Sequence, residues 1–188
     1  MTVIVFLGPP GSGKGTQAKL LVDKFGFYCI ATGDIFRWHM NNNTELGKKI
    51  REYLERGELV PDSITIRVVE DALIKASNND RFIFDGFPRT INQAKELDKL
   101  LESMGLKVDI VIYLNVSKEE AIRRLLARGR HDDKLETISR RFDEYHIKTR
   151  PIKDYYIERK VLVEIDGERT IEEVHKSILD LLHSRKLL

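Results

Sequence analysis

Short apolar runs alternate with helical patterns along this chain. Residues 3–7, 28–30, 82–84, 110–114 and 161–165 are brief stretches rich in Val, Ile and Phe. Several lack polar alternation, the pattern of strands buried on both faces of a parallel sheet. Between them, apolar residues recur at three- and four-residue spacing, the period of one helix face. Residues 14–25 carry Ala18, Leu21, Val22 and Phe25, and 64–76 carry Ile66, Val69, Leu73 and Ala76. Residues 94–104 carry Leu97, Leu100, Leu101 and Met104, and 118–128 carry Ala121, Ile122, Leu125 and Leu126. Residues 133–146 carry Ile138, Phe142 and Tyr145, with Asp133 and Glu136 spaced as a capping box at the start. Residues 171–183 carry Val174, Ile178, Leu181 and Leu182. Five strands alternating with helices predict an α/β fold, a doubly wound parallel sheet. One stretch breaks the alternation. Residues 31–77 hold no convincing strand, only helical segments separated by 41–44 and 57–63. Residues 31–61 are expected to form a helical insertion over the C-terminal edge of the sheet, where α/β ligands bind.

Composition narrows the class. The 188 residues suit a single domain able to bury its own core. Lys and Arg number 32 against 30 Asp and Glu, a net charge of +2 that argues against a non-specific nucleic-acid binder. Charged residues make up 33%, so the surface is densely ionic, while 41% hydrophobic residues argue against disorder. Cys29 is the single cysteine, which excludes an internal disulfide and any Cys-rich zinc site. His39, His131, His146, His175 and His183 show no metal-ligand spacing. No apolar stretch approaches the roughly 20 residues of a membrane span, and residues 3–7 are too short for a signal segment. A soluble, cytoplasmic protein is expected.

Residues 8–16 carry the first chemistry. Gly8-Pro9-Pro10-Gly11-Ser12-Gly13-Lys14 fits G-x-x-x-x-G-K, with Gly15 where the strict pattern has Ser or Thr and Thr16 one place later. Glycines let successive N–H groups turn inward as an anion nest, and the adjoining helix adds its positive end. Lys14 supplies a mobile cation for outer phosphates, and Thr16 can reach a phosphate oxygen or a Mg²⁺ shell. A bare match arises by chance in about one chain of this length in twenty. Here it follows an apolar strand and opens an amphipathic helix, the context that nucleotide binding requires.

Asp85 ends the strand at 81–85, where a carboxylate can order Mg²⁺ through water. Phosphoryl transfer needs charge neutralisation more than it needs a base, so arginines are the next candidates. Arg37 follows a Thr32-Gly33-Asp34 turn, and Arg89 follows Asp85-Gly86-Phe87-Pro88. Arg124 and Arg128 share a helix face, Arg130 lies just beyond, and Arg140 and Arg141 sit on the next helix. Singly, each is an ordinary surface cation. Together they suit a cleft that balances the phosphates of two nucleotides.

The motifs GPPGSGKGTQ at 8–17, ATGDIFR at 31–37, GELVPD at 57–62, DGFPRT at 85–90 and DDKLETISRRFDEYH at 132–146 resemble the adenylate kinases, of the nucleoside-monophosphate kinase family. The resemblance runs from Val3 to about Val174. It implies a P-loop kinase that converts ATP and AMP to two ADP with Mg²⁺. It implies that Lys14 and the amides of Gly11, Ser12, Gly13, Gly15 and Thr16 bind ATP phosphates. Residues 31–60 would be the AMP arm, Thr32 would face adenine, and Arg37 and Arg89 would hold the AMP phosphate. Glu58, Leu59 and Val60 would line the base pocket beside Gly86, Phe87 and Pro88, and Gln93 would read the adenine edge. Arg124, Arg128, Arg130 and Arg141 would clamp the transferred group, with Arg130 and Arg141 also reaching AMP. Asp132 and Asp133 would orient these arginines, and Asp85 would hold the Mg²⁺ water shell. Arg169 resembles a position flanking the ATP adenine, and the Phe87–Pro88 bond would be cis. Thr32 with Gln93 favours AMP over the UMP and CMP that a related class takes. A non-catalytic nucleotide-binding regulatory or assembly protein is the alternative of another class, and the number of arginines argues against it.

The chain departs from the family between Arg128 and the acidic pair. Family members carry a mobile lid there, and some long forms bind zinc. Here Gly129, Arg130 and His131 alone intervene, so the lid is expected to be reduced to 129–131 and zinc-free. The cleft then tolerates water, or is covered by Phe36 and Trp38 of the arm or by a neighbouring subunit. Monomer or homo-oligomer is left open.

Overall fold

The computed structural model describes residues 1–130 and 133–188. Five parallel strands, β1 (Thr2–Leu7), β2 (Tyr28–Ala31), β3 (Arg81–Asp85), β4 (Ile110–Asn115) and β5 (Leu162–Asp166), form one sheet in the order β2-β3-β1-β4-β5. Each lies within one residue of its expected apolar run. Strand β1 is central and buried along its whole length. Val3, Val5 and Leu7 face one core with Phe82, Phe84, Leu97 and Tyr156. Ile4 and Phe6 face the other with Leu21, Ile83, Ile112 and Ile178. Burial on both faces explains why these runs carry no polar alternation. Each such side chain contributes about 1.5–3 kcal/mol, so the sheet is a rigid platform.

The helices are α1 (Lys14–Phe25), α2 (Thr32–Asn41), α3 (Glu45–Arg56), α4 (Asp62–Lys75), α5 (Ile91–Ser103), α6 (Lys118–Arg128), α7 (Leu135–Glu144), α8 (Ile152–Glu158) and α9 (Ile171–Ser184). Helices α2 and α3 are the expected insertion, with a small core of their own in Phe36, Ile50 and Val60. Among the described residues, no helix is long and apolar enough to cross a membrane.

Two expectations about the helices need correction. Asp133 does not cap α7, which begins at Leu135 behind Lys134 with no side-chain cap. The Asp133 carboxylate takes bonds from Arg128 and from the Arg130 N–H instead; charged partners outcompete a local cap. Nor does α7 run on to 146. It passes into a π-helical turn, Tyr145–Thr149, followed by α8 after Pro151.

Register gathers the site. Phe6 at the end of β1 pairs with Asp85, and Asp85 pairs on its other side with Ala31. The glycine-rich loop, the Asp85 turn and the start of α2 therefore emerge side by side from one sheet edge.

Candidate active site

The loop after β1 is drawn tightly against its neighbours. A Cβ on Gly11 would fall 2.5 Å from the Ala121 carbonyl oxygen, at a φ of +81°. Only glycine permits that approach. Lys14 folds back over the loop, its Nζ donating to Gly8 O at 3.0 Å, Pro9 O at 2.8 Å and Ser12 Oγ at 3.2 Å. Burial lowers its pKa to about 8; Asp85 opposes the shift, while Arg89 and Arg128 add to it. Gly15 also has a physical reason: a Cβ there would sit 3.0 Å from Asp85 Oδ2. Thr16 is exposed beside it.

The turn after β3 holds the second group. The Gly86 carbonyl accepts from Arg89 Nε at 2.7 Å and from Thr32 Oγ1 at 2.8 Å. The Phe87–Pro88 bond is cis, and Phe87 is fully buried. Arg89 is open to water on one side, yet packing around its guanidinium lowers its pKa; Asp85 opposes this, and Arg141 and Arg37 reinforce it. Gln93 is buried, its Oε1 accepting from the Arg89 N–H at 2.7 Å and its Nε2 donating to Asp62 Oδ1 at 2.7 Å. One amide hydrogen and one lone pair of Gln93 take no partner among the described residues. The Thr32 hydroxyl is engaged, and Thr32 is buried.

Asp133 organises the third group. Its side chain is fully buried, and it takes a two-pronged pair from Arg128, at 2.9 Å to Nε and 2.7 Å to Nη2. Arg130 N donates to it at 3.1 Å and Arg141 Nη1 at 3.3 Å. Burial alone would raise its pKa; these donors outweigh burial and hold it below the ordinary value. Its neighbour Asp132, with His131 of the expected lid, lies outside the described residues.

Arg124 lies one turn before Arg128 on α6, as expected; its guanidinium pairs with Glu120 and donates to Gly167 O at 2.8 Å and Glu168 O at 3.3 Å. Arg169 pairs with Asp166 and donates to Ser177 Oγ. Both guanidiniums therefore contact the turn after β5 or the first half of α9. In the arm, Arg37 pairs with Asp34. Leu59 N donates to Glu144 Oε2 on α7 at 3.3 Å, and Val60 is buried in the arm's core. Phe36 is buried there too and cannot cover the cleft, whereas Trp38 is 57% exposed.

Sequence reasoning passed over Asp62 and Glu144. Asp62 accepts from Thr90, Asn92 and Gln93 together. Its place in GELVPD was visible, but partners about thirty residues away were not. Among the described residues, no group of three or more His, Cys, Asp and Glu is arranged to hold a metal. Asp85 stands beside Lys14 and Arg89 and close to Gly15. A single carboxylate at a strand end suits a hard cation that keeps its waters, such as Mg²⁺.

A central parallel strand, a glycine-rich loop opening a helix, and a carboxylate on the neighbouring strand end define a P-loop nucleotide-binding protein. A family model described as Adenylate kinase matches residues 6–161. The chain is 46% identical over 184 residues to an adenylate kinase of Azobacteroides pseudotrichonymphae, covering 96% of each. It is 44% identical over 190 residues to one of Parabacteroides distasonis, covering 99% of this chain and all of the relative. With one of Thermus thermophilus it shares 45% over 179 residues, covering 93% and 94%. The chain belongs to the adenylate kinase family, and is a nucleoside-monophosphate kinase.

Proposed function

We infer that this chain moves the terminal phosphoryl group of ATP to AMP, reversibly, giving two ADP. The observation that carries the reading is the convergence of Lys14, Arg89, Arg128 and Arg141 around Asp85 and Asp133 at one sheet edge. Transfer passes through a state with charge spread over the phosphoryl oxygens, and preorganised cations stabilise it without reorganisation.

In this reading Lys14 leaves its loop carbonyls to meet the outer phosphates of ATP. The amides of Gly11, Ser12, Gly13, Gly15 and Thr16 hold the inner ones, and the N-terminal end of α1 adds its dipole. Arg89 and Arg37 hold the AMP phosphate. Thr32, Glu58, Leu59 and Val60, with Gln93 and the turn of Gly86, Phe87 and Pro88, enclose the base. Arg128, Arg130 and Arg141 bracket the transferred group, set by Asp133. Arg124 supports the turn after β5, beside Arg169 and the ATP base. Asp85, with Thr16 nearby, fits the water shell of Mg²⁺, which when bound neutralises phosphate charge.

Residues 31–60 act as the acceptor arm and 129–131 as a minimal lid. With Phe36 enclosed in the arm's core, Trp38 is the arm's aromatic surface available to cover the cleft. No observation favours UMP or CMP, or a non-catalytic role. The test is substitution. Lys14→Ala and Arg89→Ala should each lower kcat by about 10²-fold or more while the fold is kept. Near-wild-type turnover in both folded variants would overturn the assignment.

A further inference from the structure

Arg89 lies in the link between β3 and α5, where no ladder or helix bond fixes its main chain. Side chains do so instead. Its N–H donates to Gln93 Oε1 at 2.7 Å, and its carbonyl accepts from Thr149 Oγ1 at 3.0 Å. Thr149 stands 60 residues further along. Asp62 orients the Gln93 amide, so among the described residues one side of Arg89 is fixed through Gln93 and the other by Thr149.

The π-helical turn aims Thr149. Arg150 N donates to Tyr145 O at 2.7 Å, five residues back. The extra residue rotates the downstream chain by about 100° relative to a continued α-helix. Both ends of the turn are anchored. Tyr145 shares a 2.6 Å hydroxyl contact with Tyr113 of β4, and Ile152 and Tyr156 of α8 are fully buried under the sheet.

We propose that Thr149 is a positioning residue for the acceptor arginine: its hydroxyl fixes the Arg89 peptide and thereby aims the guanidinium at the acceptor phosphate. The proposal rests on the assignment of Arg89 made above. A tilt of about 10° in that peptide moves the guanidinium by about 1 Å, enough to affect the rate strongly.

The test compares Thr149→Val, which keeps the shape and loses the donor, with Thr149→Ser, which keeps the donor. Initial rates are measured with AMP and ATP varied in turn, alone and in an Arg89→Ala background. Thr149→Val should lower kcat/KM for AMP about tenfold, through both constants, with KM for ATP within about twofold of wild type. Thr149→Ser should restore the AMP constants, and Thr149→Val should add nothing to Arg89→Ala. If the Val variant does not fold, Thr149→Ala gives the same comparison. An unchanged kcat/KM for AMP, an equal loss toward ATP, or a loss that persists in the Arg89→Ala background would overturn the proposal. If Arg89→Ala itself keeps wild-type kinetics, the Arg89 assignment has failed and the proposal falls with it. If Arg89→Ala is crippled and Thr149→Val is not, the proposal alone falls.

Discussion

Asp133 gathers Arg128, the Arg130 amide and Arg141 around one buried carboxylate. Its pKa is held below 3.8, so its stabilisation is present above the unfolded value and lost as pH falls through the folded one. Asp133→Asn should cost about 1–3 kcal/mol at neutral pH, with the gap from wild type closing in acid; urea titrations at both pH values check this. Lys14 has the same sign in pH from the opposite cause, burial that disfavours its charged form. Its pKa falls from 10.5 to about 8 on folding. The folded chain binds fewer protons than the unfolded one in that window, so this group adds stability as pH rises through it. Phosphate prefers the charged amine. ATP affinity should therefore weaken as pH rises past about 8, and binding there should take up protons. Calorimetry in buffers of different ionisation enthalpy measures both, and an ATP affinity flat across this range would contradict the shift. Lys14, Asp85 and Arg89 were legible because local motifs carry them. The links of Asp62 and Thr149 to the Arg89 turn were not, because sheet register and a π-helical turn join residues distant in sequence.

The arm leaves α3 at Gly57, where φ is +76° and a Cβ would lie 2.7 Å from Thr137 O of α7. Close by, Glu144 of α7 accepts from Leu59 N and pairs with Lys148. The exit of the arm is thus seated on the helix that carries Arg141. Gly57→Ala should destabilise the fold by about 1–3 kcal/mol and raise KM for AMP more than KM for ATP. Denaturant titration and initial rates test the two parts. At this scale β1, β3 and β4 were readable because burial on both faces leaves unbroken apolar runs. Helix α8 was not, since Ile152 and Tyr156 are two buried positions in seven residues, too few to show a period. The start of α7 was misread because the capping pattern was present while its carboxylate had arginine partners.

Over the whole molecule, a net charge of +2 conceals a cleft where cations converge. The even balance argues against a non-specific nucleic-acid binder but says nothing about local concentration, which the strand order creates. Chain length carries a second message. The match to an adenylate kinase of Carboxydothermus hydrogenoformans spans 210 residues, whereas this chain has 188, so that relative holds residues this one lacks. Residues 129–134 alone join α6 to α7. Transfer from ATP to AMP is tested most directly by a panel of AMP, UMP, CMP, GMP and dAMP, each supplied with Mg-ATP, with diphosphate formation followed over time. AMP should give the highest kcat/KM and yield two ADP per turnover. Faster turnover of UMP or CMP, or no turnover with any acceptor by the folded protein, would contradict it.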